Sequence, residues 1–166
     1  MGPTQNTDAV DLMEREHEAI LALFAAYDAL LAGQGNVAAR KSLADQICLE
    51  ITIHMRLESE MLYPLASDGA GSAGRQSLAA DHASVREQIA QVLGTGADQP
   101  GYDASVLALG RCVHDHVQEE RVQLFPAVRV SGADLARLAA RVRERRLELQ
   151  TVSEALREQA MLPAYA

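Results

Sequence analysis

The stretches His54-Met-Arg-Leu-Glu58-Ser-Glu-Met-Leu62-Tyr63-Pro64 and His116-Val-Gln-Glu-Glu120-Arg-Val-Gln-Leu124-Phe125-Pro126 share one spacing: a histidine, a glutamate four positions on, and Leu-aromatic-Pro at the end. Side chains at i and i+4 of an α-helix lie about 40° apart around the axis. His54 and Glu58, like His116 and Glu120, therefore share a helical face and can grip one ion. Each proline marks where its helix bends or stops.

Outward from these motifs the chain keeps apolar residues at spacings of three and four, the helical period, and strand-like alternation is scarce. A first helix is expected from about Asp8 to Ala32, capped by Thr7 or Asp8 and ended by the turn Gly33-Gln34-Gly35-Asn36. Its buried stripe would be Val10, Met13, His17, Ile20, Leu21, Phe24 and Leu31. A second runs from Val37 to Tyr63 or just past Pro64. Asp68 to Gly74, rich in Gly and Ser, reads as a loop, and a third helix spans Arg75 to Leu93. A fourth starts near Asp103, which can cap it, and continues to Phe125. After the Ser131-Gly132 break, a fifth helix from Ala133 to Leu156 carries Leu135, Leu138, Val142, Leu147 and Leu149 on an irregular apolar side. It could pack on the bundle or on a second copy of the chain, making a homodimer. Four long helices with short connections predict an all-α, up-down-up-down four-helix bundle with an additional C-terminal helix.

Composition sets the surroundings. The 166 residues are 48% hydrophobic, enough for one domain with a real core. A net charge of −8 and a pI near 5.1 argue against nucleic acid or an anionic membrane as partner, since both are bound mainly by Lys and Arg. The polar first residues and the lack of any apolar run of about 18 residues predict a soluble, cytoplasmic protein. Cys48 and Cys112 form no zinc-knuckle or redox spacing and read as free thiols. Phosphate-loop, nucleophile-elbow and dinucleotide fingerprints are missing.

The histidines fall one per helix at matching heights. His17 lies 16 residues from the turn at Gly33 and His54 lies 18 from Asn36. At ~1.5 Å per residue both climb roughly 25 Å, so an antiparallel pair sets them level. His82 and His116 match in the same way across Gly94 to Asp103. A single such histidine reads as an ordinary core or surface residue, but four at one height, two with a glutamate at the same offset, read as a site. Mixed imidazole and carboxylate suit iron, manganese or zinc. Two histidine pairs and two carboxylates favour two metals, each Glu bridging both ions, with an oxide or hydroxide bridge as fifth ligand and a sixth position open to a small molecule. A buried Glu without a cation would cost several kcal/mol before it took up a proton.

Through His17 in Arg-Glu-His-Glu, Asp81-His82 and the two His-x-x-x-Glu motifs, residues 8 to 128 resemble the hemerythrin superfamily, specifically bacterial domains of the HHE cation-binding type. The resemblance implies one hemerythrin-like domain over 1 to 166, with the bundle at 8 to 128. It also implies a non-haem di-iron centre ligated by His17, His54, Glu58, His82, His116 and Glu120. Family uses range over oxygen binding, oxygen or nitric oxide sensing, iron-sulfur repair and iron handling. Oxygen carriers place a fifth His one turn after the third-helix ligand. Here that residue is Arg86, which cannot donate a lone pair to a metal. The expectation is thus a symmetrical, open di-iron centre that binds or reacts with O2, NO or peroxide. A sensing or storage module and a metal-free interaction protein are the alternatives. Tyr27, Tyr63 and Phe125 read as packing residues, His114 as a surface residue, and Glu50 and Cys112 as neighbours of the ligands or plain surface and core.

Overall fold

A computed structural model describes residues 7–66 and 71–161. In chain order it contains α1 (Ala9–Ala32), α2 (Val37–Leu57), a π-helical turn (Glu58–Leu62), α3 (Tyr63–Ala66), α4 (Gly71–Gly94), α5 (Tyr102–Val122), α6 (Leu124–Arg129) and α7 (Leu135–Met161). The described residues contain no strand. α2, the π turn and α3 run on as one rod. α1, this rod, α4 and α5 pack in succession, and α5 closes on α1, which is the expected four-helix bundle with an extra helix.

Local chemistry explains the boundaries. Asp8 caps α1 by accepting from the Asp11 amide at 2.9 Å, while the Asp11 carboxylate reaches back to the Asp8 amide. Asn36 caps α2 by accepting from the Ala39 amide at 2.8 Å. Asp103 does not cap α5. Gly101, at φ +91°, holds that place, and Asp103 instead accepts the Tyr27 hydroxyl at 2.6 Å and pairs with Arg40. A residue read as a local cap thus ties three helices together.

Helix α4 begins at Gly71, so the loop expected over Asp68 to Gly74 is helical in its second half, and 67–70 lie outside the described residues. The two aromatic-proline ends differ. Pro64 has no amide hydrogen and crowds the carbonyl four residues back, and the wider π turn carries the rod past it without a break. The second motif breaks at Gln123, three residues before Pro126. That proline then falls in the first turn of α6, where an amide donor has no helical partner anyway.

Two apolar clusters fill the bundle. One gathers Ile20, Tyr27, Ile47, Ile51, Val106 and Leu109; the other gathers Met13, Leu57, Leu62, Leu124, Phe125 and Val142. His17 lies between Met13 of one and Ile20 of the other, so the histidine level is the polar layer between two apolar ones. Helix α7 packs on its own bundle, against α1 and α2, burying Leu138, Ala139 and Val142. Leu147, read as part of its apolar side, is exposed. Among the described residues no helix is long and apolar enough to cross a membrane.

Candidate metal centre

The bundle brings all six sequence-predicted residues to one place. His17 comes from α1, His54 from α2, Glu58 from the π turn, His82 from α4, and His116 and Glu120 from α5. Both glutamates are 0% exposed. Carboxylates withdrawn so completely from water require compensating positive charge or protons.

Each carboxylate turns one oxygen to each histidine pair. Glu58 Oε1 lies 2.8 Å from His54 Nε2 and 3.6 Å from His17 Nε2, while its Oε2 lies 3.2 Å from His82 Nε2 and 3.8 Å from His116 Nε2. Glu120 Oε2 is 3.2 Å from His17 Nε2, and its Oε1 is 3.3 Å and 3.9 Å from His116 and His82 Nε2. The result is two four-residue groups, His17/His54/Glu58/Glu120 and Glu58/His82/His116/Glu120, with donor atoms in each within 4.8 Å of one another. Adjacent ligands at ~2.1 Å from one ion stand roughly 3.0 Å apart and opposite ones roughly 4.2 Å, and the nitrogen-to-oxygen distances here, 2.8 to 3.9 Å, are of that size.

The aromatic rings of the two motifs cover the histidines that have no Glu one turn on. Tyr63 stacks on His82, with ring centres 5.0 Å apart, and Phe125 on His17 at 5.3 Å. Tyr63 does more than pack: its hydroxyl lies 2.8 Å from His82 Nε2 and donates to Glu120 Oε1 at 3.4 Å. In a plain α-helix five residues would turn Tyr63 roughly 140° away from the Glu58 face. The π turn, closed by the Tyr63 amide on the Glu58 carbonyl, brings both to the same side.

The family model for the hemerythrin HHE cation binding domain matches residues 8–128. The chain belongs to this family. An uncharacterised Mycobacterium tuberculosis protein, Rv2633c, is 28% identical over 149 residues, spanning 84% of this chain and 88% of that one. A DNA nickase from Nostoc sp. is 30% identical over 84 residues, 51% of this chain and 24% of the nickase. The crystal structure of an HHE domain-containing protein from Mycobacterium kansasii, described as an Rv2633c homologue, superposes with a TM-score of 0.74. It covers 95% of this chain and 94% of that one at 23% identity, a likeness of fold.

Further residues of this HHE domain surround the six. His54 Nδ1 is hydrogen-bonded to Glu16 Oε2 at 3.0 Å, and Glu16 is in turn paired with Arg146 of α7, Nη1 to Oε1 at 3.2 Å. Arg146 also pairs with Glu50, which links Glu50 to the site through it. His82 Nδ1 faces the Ser59 hydroxyl at 3.3 Å. Glu16 carries a readable signal, since it follows Met13 by three and precedes Ile20 by four and so falls on the buried stripe. Arg86 is exposed, lining a groove of about 700 Å³ with Arg56, Ser59 and Glu60. Cys112 packs against the first apolar cluster and His114 is exposed, as read.

The site's charges fit a cation. Nε2 of His17, His54 and His116, Oε1 of Glu58 and Oε2 of Glu120 are buried without a hydrogen-bond partner, their close neighbours being misaligned for one. Buried nitrogen and carboxylate atoms that converge with no hydrogen bond of their own are the donor set a metal needs. In the metal-free protein, burial would lower the His54 pKa, but the Glu58 charge and the Glu16 hydrogen bond outweigh it and raise it to about 10. Burial raises Glu120 to about 8, with the Glu58 charge adding to it. Glu58 is held low against its burial by the charge of His54 and by His116 and His17. Burial lowers His82. The cluster therefore keeps protons that a metal would displace.

Proposed function

We propose that this HHE domain holds two iron ions, zinc or manganese being the alternatives, and binds or reacts with O2, NO or peroxide. His17 and His54 would ligate one ion and His82 and His116 the other, with Glu58 and Glu120 bridging both. The observation that carries this reading is that each carboxylate turns one oxygen to each histidine pair. A metal-free interaction protein would have no use for five buried donor atoms without hydrogen bonds.

Iron in these positions supplies electrons and coordination places that a small ligand can occupy. The chain's own residues do the rest. The four imidazoles and two carboxylates set the positions, the fully buried Leu57, Leu62 and Leu124 help keep bulk water out, and the Tyr63 hydroxyl offers a proton or hydrogen bond beside His82. Burial and the charges of Glu120 and Glu58 raise the Tyr63 pKa, so the phenol stays protonated as a donor.

Metal analysis of the chain purified from iron-supplied cells tests the reading. Two irons per chain with near-ultraviolet absorption of a bridged pair are expected, and protein without metal overturns it. Stopped-flow mixing of the reduced protein with O2, NO and peroxide then separates binding from turnover: a stable adduct released intact marks a carrier or sensor, and repeated consumption marks an oxidoreductase.

A further inference from the structure

The four imidazoles are not supported alike. Among the described residues, only His54 has a carboxylate on its outward nitrogen, Glu16 at 3.0 Å. His82 Nδ1 meets the neutral Ser59 hydroxyl, and His116 Nδ1 has no hydrogen-bond partner. Glu14 Oε2 stays 4.0 Å from His17 Nδ1, beyond hydrogen-bond reach, and Glu14 is held instead by Arg121 Nη2 at 2.8 Å. Glu16 is itself fixed from outside the four-helix bundle. It is buried at 9% exposure, and Arg146, projecting from α7, pairs with both Glu16 and Glu50. Arg145 beside it anchors α7 to Glu60 at 2.8 Å.

A carboxylate on the far nitrogen of a ligating histidine fixes its tautomer and ring orientation and makes the near nitrogen a better donor. Resting on the two-metal reading above, we propose that Glu16 is a positioning residue for His54, locked by Arg146 of α7, and that it makes the His17/His54 position the more tightly bound of the two. The six donors are arranged symmetrically, but their surroundings are not. The C-terminal helix thus becomes part of the metal centre: it sets how firmly one of two otherwise matched ions is held.

Release of iron from the anaerobic, ferrous-loaded full chain to a coloured chelator tests this. Wild type should release two equivalents in two phases, with His54→Ala removing the slow one. Glu16→Gln, close in shape to the native residue, should speed the slow phase about tenfold or more and leave the fast phase unchanged. Arg146→Met should give a smaller acceleration of the same phase. A single wild-type phase of two equivalents, slow phases within twofold of wild type in both variants, or equal acceleration of both phases overturns the proposal while leaving the two-metal reading intact. A wild-type chain that holds no iron overturns both.

Discussion

The Tyr63 hydroxyl lies 2.8 Å from Nε2 of His82, whereas Phe125, the matching ring of the second motif, offers His17 only its face. Two motifs with one spacing thus deliver one polar and one apolar ring. Tyr63→Phe keeps the stack and removes the donor. The expected outcome is full metal content with a bimolecular rate toward peroxide lower by about a hundredfold, the lower end of what a positioned proton donor contributes. Stopped-flow absorbance measures it. An unchanged rate would return Tyr63 to a packing role.

That both carboxylates belong to both groups separates two kinds of loss under the two-metal reading. Each histidine faces one four-residue group, but Glu58 and Glu120 belong to both. His54→Ala should cost about one metal equivalent at limiting metal, and Glu58→Ala both. Metal analysis after gel filtration, with helical content checked by circular dichroism, reads the difference. Equal losses in the two variants would argue against shared carboxylates.

That these six residues come together was legible because helical spacing and helix length place them, and both are local properties. Glu58 and Glu120 follow their histidines by four, and His17 and His82 needed only a count of residues to the nearest turn. Tyr63 escaped because its direction depends on a π turn, which adds a residue per turn and leaves no mark in apolar periodicity. Arg146 escaped because the partner of α7 is a tertiary matter: alternating Arg and Glu read equally well as a solvated face. Asp103 was legible as a cap only by type, and a buried tyrosine 76 positions away outcompeted that role.

Metal uptake should release protons. In the metal-free protein His54 is raised from 6.5 to about 10, so it is protonated at neutral pH, yet it must be neutral to ligate. Affinity should therefore rise with pH between about 6 and 9, with at least one proton released per chain. Calorimetry in two buffers of different ionisation heat measures the count. The stability of the metal-free fold runs the other way. A raised histidine pKa stabilises the fold fully below the unfolded value of about 6.5, and that contribution is lost as pH rises toward 10. Metal-free protein should thus melt lower at pH 9 than at pH 6 by this contribution, while loaded protein should show no such loss.

The turn between α1 and α2 offers a stability test remote from the metal. Of Gly33, Gln34 and Gly35, the left-handed conformation falls on the glutamine, at φ +54°. An L-residue there costs roughly 1–2 kcal/mol, of which a glycine's greater freedom when unfolded gives back a part. Gln34→Gly should therefore stabilise the chain by up to about 1 kcal/mol, raising Tm by about 2–4 °C for a chain of this size. Gly35 is a glycine for a different reason. A Cβ there would stand 3.0 Å from both the backbone oxygen and a side-chain carbon of Leu30, where the Gly35 amide closes on the Leu30 carbonyl. Gly35→Ala should lower Tm. Because the turn lies roughly 25 Å along the helices from the histidine level, neither change should alter metal content. Thermal denaturation of the pair, with shifts of opposite sign expected at adjacent positions, measures how the connection between α1 and α2 sets stability.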